Sequence, residues 1–224
     1  MLDCIVSLTT WKGRINDPAI TKILFRLLEQ QKTKYNYKVV LVLSEEEFGK
    51  NYKLPEHIQL LLNHPKFEII WTYENTKALK KLDPTMEKYP ELPIITMDDD
   101  EMVTPDCIQK IMDEHFENPN DILGGEIGIC HGINRPWLIR LFPAHSLKNI
   151  PTEYFKTYFN YMQDDEWNGI RAKLNNTNIR KLKSKVVLSI FYTDQKNAFN
   201  KQYNNFDFDS ALKKFKTDHP EYFN

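Results

Sequence analysis

Three consecutive aspartates, Asp98-Asp99-Asp100, directly follow the apolar run PIITM at 93–97. Adjacent like charges repel, and the end of a buried strand is a costly place for them. A hard divalent cation resolves that conflict, because carboxylate oxygens are its preferred ligands. In an extended or turning segment, residues two apart point the same way. Asp98 and Asp100 are therefore placed to approach one ion, while Asp99 points elsewhere. The plain alternative is a solvated acidic turn. The strand before the triplet argues against it, because open α/β sheets bind ligands beyond the carboxyl ends of their strands.

A second acidic group is Asp164-Asp165-Glu166-Trp167. A carboxylate at Asp165 is a candidate general base, with Asp164 beside it. An N-cap pair for a helix beginning at Glu166 is the competing role. Lys80 and Lys81 lie in KALKK, on a predicted helix, and can meet a diphosphate as point charges. A solvated basic face is the alternative there. Thr9, Thr10 and Arg14 follow the first apolar run, and Ser44 and Glu45 close the second; ordinary strand-end turns would also use these residues. His131, His145 and His219 are candidate extra metal ligands, though a lone histidine is more often structural. Trp137, Tyr161 and Trp167 could stack on a sugar ring or fill a core.

The elements that must position these groups alternate between strand and helix. CIVSLT (4–9), YKVVLVL (37–43), FEIIW (67–71) and PIITM (93–97) read as strands. Between them lie an Asn16-Asp17-Pro18 helix start with Ile20, Ile23, Leu24, Leu27 and Leu28 at helical spacing, a short helix at 55–64, and a helix over 76–89. Thr104-Pro105-Asp106 caps a further helix with Ile108, Ile111, Met112 and Phe116 facing inward, ended by Asn118-Pro119-Asn120-Asp121. Residues 126–130 read as a strand, 151–162 and 207–216 as helices, and VVLSIFY (186–192) as a strand. Continuous apolar strands alternating with helices predict a mostly parallel sheet covered on both faces.

Length and composition agree with one domain. The 224 residues are 41% hydrophobic and 27% charged, enough to bury a core. With 30 basic and 31 acidic side chains, nothing calls for nucleic acid as a partner. Three widely spaced cysteines, Cys4, Cys107 and Cys130, predict reduced thiols rather than a disulfide framework or zinc cluster. The N-terminus lacks a signal-peptide pattern, and no apolar run reaches the roughly 18 residues of a membrane span. The expected location is cytoplasmic. The basic run at 171–185, with Lys213, Lys214 and Lys216, is a candidate for peripheral contact with the inner membrane surface.

Residues 80–106, KKLDPTMEKYPELPIITMDDDEMVTPD, resemble the core signature of GT-A glycosyltransferases, in particular the bacterial polysaccharide and lipopolysaccharide-type sugar transferases. In that family an Asp-x-Asp motif follows a strand, and a Lys-Lys-Leu-x-Pro segment precedes it. IVSLTTWKGRI (5–15) is similar to the family's first strand and the turn after it. Asp164-Asp165-Glu166-Trp167 resembles the acceptor-half motif, and Thr193-Asp194-Gln195 is a weaker match. Residues 126–150 depart from the family pattern and are expected to carry acceptor specificity.

The resemblance implies a GT-A fold, a Rossmann-like nucleotide-diphospho-sugar transferase, in a single domain over 1–224. Residues 1–103 would form the nucleotide-sugar-binding half and 104–224 the acceptor-binding half. It implies metal-dependent, hexosyltransferase-like transfer from a nucleotide sugar to a glycan or lipid-linked hydroxyl in polysaccharide synthesis, with Mn2+ or Mg2+ on Asp98 and Asp100. Thr9, Thr10, Arg14, Ser44, Lys80, Lys81, Asp98 and Asp99 would hold the donor. Asp165 would be the base, which implies inversion, with Asp164 beside it. Two other readings compete: a sugar nucleotidyltransferase and a non-catalytic carbohydrate-binding protein. The first wants a Gly-rich loop after its first strand, where this chain has TTWKGRI and only seven glycines overall. The second has no use for a base.

Overall fold

The computed structural model describes residues 1–130, 132–161, 163–191 and 206–223. Its centre is a seven-stranded sheet in the order β3-β2-β1-β4-β7-β6-β8. The first four of these are β1 (Cys4–Thr9), β2 (Tyr37–Ser44), β3 (Phe67–Thr72) and β4 (Ile94–Met97), all parallel. The sheet continues through β7 (Ile133–Phe142), antiparallel to β4, then β6 (Ile122–Cys130) and the short β8 (Ile179–Lys181), which is parallel to β6. Six strands thus point one way and β7 the other, the mostly parallel α/β arrangement expected. A two-stranded ribbon pairs β5 (Glu101–Val103) with β9 (Val187–Ile190).

Strand alternation sorts the core into two layers. Cys4, Val6 and Leu8 of β1 face one cluster with Val39, Leu41, Leu43, Ile95 and Met97. Ile5, Val40, Val42 and Ile94 face the opposite one. The first cluster is roofed by α1 (Pro18–Glu29) and α5 (Cys107–Glu117). Asp17 caps α1, its carboxylate accepting from the Ala19 N–H at 2.8 Å. A third cluster is largely aromatic and builds on α6 (Thr152–Phe159), α7 (Asp164–Leu174) and α8 (Phe208–Asp218).

Several elements differ from the sequence reading. The helix expected over 76–89 is a 3-10 turn at Lys77–Lys81 and then α4 (Asp83–Lys88), with Leu82 between them. The 55–64 helix likewise splits into α3 (Glu56–Gln59) and a 3-10 turn, and a single turn, α2 (Glu45–Phe48), follows β2. On α5 the inward face is Ile108, Ile111, Met112 and His115; Phe116 is exposed and stacks on Tyr35. Helix α7 begins at Asp164, not Glu166. The strand β7 was not foreseen. Tyr192, at the end of the strand expected over 186–192, lies outside the described residues.

Candidate active site

The triplet sits in a turn between β4 and β5, closed by the Glu101 N–H donating to the Asp98 carbonyl at 3.2 Å. Glu101 answers by accepting the Asp98 N–H on Oε2 at 3.1 Å. The turn disperses the three carboxylates in a way that alternation does not predict. Asp99 is buried, accepts from Thr10 Oγ1 at 2.5 Å and is ion-paired with Arg14. The same guanidinium nitrogen of Arg14 reaches Asp100 at 3.2 Å. Asp98 turns the other way, to Lys81 Nζ at 2.6 Å, with Arg140 3.8 Å from its second oxygen.

Register explains the meeting. Strands β1 and β4 are neighbours, so Thr10, just past Thr9, lies beside the residues that follow Met97. Arg140 stands opposite Thr96 across the β4–β7 ladder, two residues before Asp98. Helix α7 brings its first turn to the same place: Asp164 meets Lys81 at 3.3 Å and Asp165 meets Arg140 at 2.6 Å. The approach to α7 is a tight reversal in which Asn160, Tyr161 and Gln163 all have positive φ. Such backbone is strained for a bulky residue like Tyr161 and needs surrounding contacts to hold it; Tyr161 donates its hydroxyl to Glu74.

Five carboxylates (Asp98, Asp99, Asp100, Asp164 and Asp165) therefore face three cations, Arg14, Lys81 and Arg140. The surplus of acid shows in the ionisation of the site. Burial, and then the charges of Asp98 and Asp99, push Asp100 up to about 6. Burial and Asp98 push Glu101 up to about 8. Burial pushes Asp165 up to about 7; Arg140 opposes the rise and Asp164 adds to it. Burial also disfavours the Asp98 charge, yet Lys81 and Arg140 hold that carboxyl below the usual range. Lys81 and Arg140 resist the effect of burial in the same way and stay charged.

A net acidic cluster of carboxylate oxygens suits a hard divalent ion. Among the described residues no three His, Cys, Asp or Glu side chains are gathered around one point.

The other sequence candidates sit elsewhere. Thr9 donates its hydroxyl to the Val42 carbonyl at 2.7 Å. Ser44 is buried at the end of β2, its hydroxyl lacking a partner among the described residues. Glu45 opens α2. Lys80 is buried and paired with Glu47 and Asn75, both at 2.9 Å. His145 pairs with Glu91 on the surface, and His219 packs among Tyr154, Tyr158 and Phe215. His131 and Thr193-Asp194-Gln195 lie outside the described residues. Of the three aromatic candidates, Trp167 is core, stacked on Phe155, and Tyr161 is buried; Trp137 alone is exposed. Much of the basic run is occupied: Arg171 with Asp83, Arg180 with Asp121, Lys181 with Glu126 and Lys183 with Glu117. Among the described residues no helix is long and apolar enough to cross a membrane.

Arg140 and Glu101 are the site residues that sequence reading missed. A charge inside the apolar run LIRLF was the available signal for Arg140. Glu101 adjoins the triplet and had no such mark.

No protein-family model matches the sequence, and no curated protein does either. Solved structures do match the fold. Residues 1–349 of S. aureus TarS in complex with UDP-GlcNAc align over 98% of this chain and 72% of that one, with a TM-score of 0.57 and 13% identity. The mannosyltransferase PcManGT from Pyrobaculum calidifontis, in complex with GDP-Man and Mn2+, aligns over 89% of this chain and 59% of its own, with a TM-score of 0.57 and 12% identity. A 4-diphosphocytidyl-2C-methyl-D-erythritol synthase aligns over 89% of this chain and 98% of its own, with a TM-score of 0.51 and 9% identity. At these identities the likeness is one of fold alone: a mixed α/β architecture around a mostly parallel sheet, matching GT-A-like structures.

Proposed function

We propose that this chain is a glycosyltransferase that moves a sugar from a nucleotide-diphosphate donor to a hydroxyl of a glycan or lipid-linked acceptor. One observation carries the reading: acids from two distant segments, Asp98 and the Asp164-Asp165 pair, meet across Lys81 and Arg140 beyond the carboxyl end of β4. A carbohydrate-binding protein needs no such pairing of a charged donor pocket with a carboxyl poised to exchange protons near neutrality. The fold shared with complexes of UDP-GlcNAc and GDP-Man supports the same reading.

In this proposal residues 1–103 bind the donor and 104–224 the acceptor. Thr10 and Arg14 fix Asp99, and with Thr9 and Ser44 they line the donor side. Lys81 presents a positive charge toward the diphosphate, while Lys80 supports the wall through Glu47. Asp98 and Asp100, which here face Lys81 and Arg14, would have to turn toward one ion to hold Mn2+ or Mg2+, which when bound offsets charge on the leaving diphosphate. The acceptor oxygen attacks the anomeric carbon as the bond from that carbon to the phosphate oxygen breaks. The diphosphate leaves with the bonding electrons, and Asp165 takes the proton of the hydroxyl. Attack from the face opposite the leaving group inverts the anomeric centre. Polysaccharide synthesis at the inner membrane face is the setting proposed for this reaction.

Calorimetric titration with UDP, GDP, CDP and TDP, with and without Mn2+, tests the donor site. The expected result is metal-dependent micromolar binding of one diphosphate, lost in Asp100→Ala. A folded protein that binds none of them would sink the proposal. A nucleotidyltransferase, the competing reading, would instead release pyrophosphate from a nucleoside triphosphate and a sugar phosphate.

A further inference from the structure

Arg140 has the most unusual surroundings in the site. It is buried, and its β7 neighbours Ile139 and Leu141 belong to the aliphatic core. Its Nη2 lies 2.6 Å from Asp165 and 3.8 Å from Asp98, and its Nε donates to the Pro136 carbonyl at 3.3 Å. The remaining nitrogen, Nη1, is buried and has no hydrogen-bond partner among the described residues.

The backbone just before it is also irregular. Between Trp137 and Arg140 the β6–β7 register slips: three residue steps on β7 match two on β6, from Gly124 to Glu126. The extra residue makes a bulge, and within it Leu138 has φ of 58°. A left-handed conformation costs a non-glycine residue energy and persists only where the surrounding structure fixes it. Bulges re-aim the side chains that follow them, and here the next core-facing polar side chain is Arg140. Gly125, opposite the bulge, leaves room for it: a Cβ there would lie 3.2 Å from that of Leu138.

We infer that Arg140 is a positioning residue that fixes Asp165 and ties its placement to Asp98 on the donor side. The inference rests on the transferase reading and extends it. One nitrogen of the guanidinium, Nη2, faces both carboxylates, and the rigid, planar head of an arginine holds its direction where a lysine ammonium on a flexible stem does not. Asp165 sits on the first turn of α7, which the chain enters through a reversal with positive φ at Asn160, Tyr161 and Gln163, and Arg140 meets its side chain from β7.

The test uses the full chain and the nucleotide sugar whose diphosphate binds in calorimetry, with water as acceptor. Release of the diphosphate is followed for wild type, Arg140→Lys, Asp165→Asn and the double variant. The expected result for Arg140→Lys is unchanged donor affinity with turnover lowered about a hundredfold, the cost of a misplaced reacting group. Added to Asp165→Asn, the same change should cost nothing more, since residues acting as a unit are not additive. Losses that multiply, weakened donor binding, or wild-type turnover in Arg140→Lys overturns the role of Arg140 and leaves the transferase reading intact. A wild type that neither binds a diphosphate nor turns over overturns both. If Arg140→Lys does not fold, Arg140→Met/Asp165→Asn, which leaves neither charge of that pair buried alone, replaces it. Donor binding equal to that of Asp165→Asn supports the inference, and its loss overturns it.

Discussion

The strand β4 that leads into Asp98 is held by ladders on both edges, against β1 and β7, and by aliphatic side chains on both faces. Helix α7, whose first turn carries Asp165, belongs to no ladder and rests largely on rings. Trp167 lies between Phe155, Phe159 and Phe215 at centroid distances of 5.3, 5.4 and 5.8 Å. The donor-side carboxylates are thus placed by backbone, and the acceptor-side pair by side-chain packing and by two ion pairs, to Lys81 and Arg140. Hydrogen-bond ladders fix position whatever the side chains are, while packed rings fix it only as long as each ring is present. Damage to the core should therefore reach chemistry sooner on the α7 side.

The sharpest way to break this comparison is to remove one carboxylate from each side. Asp165→Asn should lower turnover by about 10²–10⁴-fold, the usual worth of a positioned base, and leave diphosphate affinity unchanged. Asp98→Ala should abolish metal-dependent diphosphate binding. If calorimetry finds both variants equally deficient in donor binding, the two sides are not separate in function.

Core substitutions come next. Trp167→Ala should destabilise by about 3–5 kcal/mol, the range for a large buried ring. At temperatures where the variant remains folded, its turnover should still fall, because α7 loses its seat. Val40→Ala, in the aliphatic layer of β2, should lower the melting temperature and leave the turnover of folded protein unchanged. Parallel melting curves and rates decide this. Equal sensitivity of turnover in the two halves would contradict the account.

The same contrast explains what was legible in the sequence. CIVSLT, YKVVLVL, FEIIW and PIITM are aliphatic runs bounded by polar turns, and each strand falls where the run does, to within a residue at either end. The triplet was named from residue type and spacing, and Thr10, Arg14, Lys81 and the Asp164-Asp165 pair with the help of the resemblance to GT-A glycosyltransferases; the structure brings them together. What could not be read was pairing. Strand β7 carries Arg135, Pro136 and Arg140 within its ten residues, so its apolar pattern is broken where the partners are not yet known. Only the ladder to β4 shows that Arg140 is interior. The inner face of α5 was misjudged by one position for a similar reason. His115 and Phe116 are adjacent, hydrophobicity favours Phe116, and in the fold His115 is the one that is buried.

Ionisation offers a gentler probe. Asp165, raised by burial to about 7 against the pull of Arg140, must be deprotonated to act as a base. Turnover should therefore rise with pH through about 7, and that limb should be missing from Asp165→Asn. Stability should run the other way. Glu101 and Asp100, raised to about 8 and about 6, hold protons in the folded state that the unfolded chain releases near its ordinary carboxyl range. The folded state thus binds more protons between those limits, and its stability is greatest at the acid end and declines as pH rises toward 8. Denaturant melts at pH 5.5 and 8 check the sign. Rising stability over that interval would show that these two acids are charged in the fold.

The smallest effect tests the donor side at its edge. Asp17 caps α1 and lies three residues beyond Arg14; the Asp17 N–H donates to the Arg14 carbonyl at 2.8 Å. Asp17→Ala should cost about 1 kcal/mol, a typical cap, and lower the melting temperature by about 2–4 °C for a chain of this length. The Arg14 backbone is also held from the other direction, its N–H donating to the Trp11 carbonyl at 2.9 Å, and its side chain is fixed by Asp99 and Asp100. Loss of the cap should therefore stay local, and diphosphate affinity should remain within about twofold of wild type, the margin expected for sites that do not couple. A larger drop in calorimetry would mean that α1 itself, not the turn at Arg14, sets the geometry of the triplet.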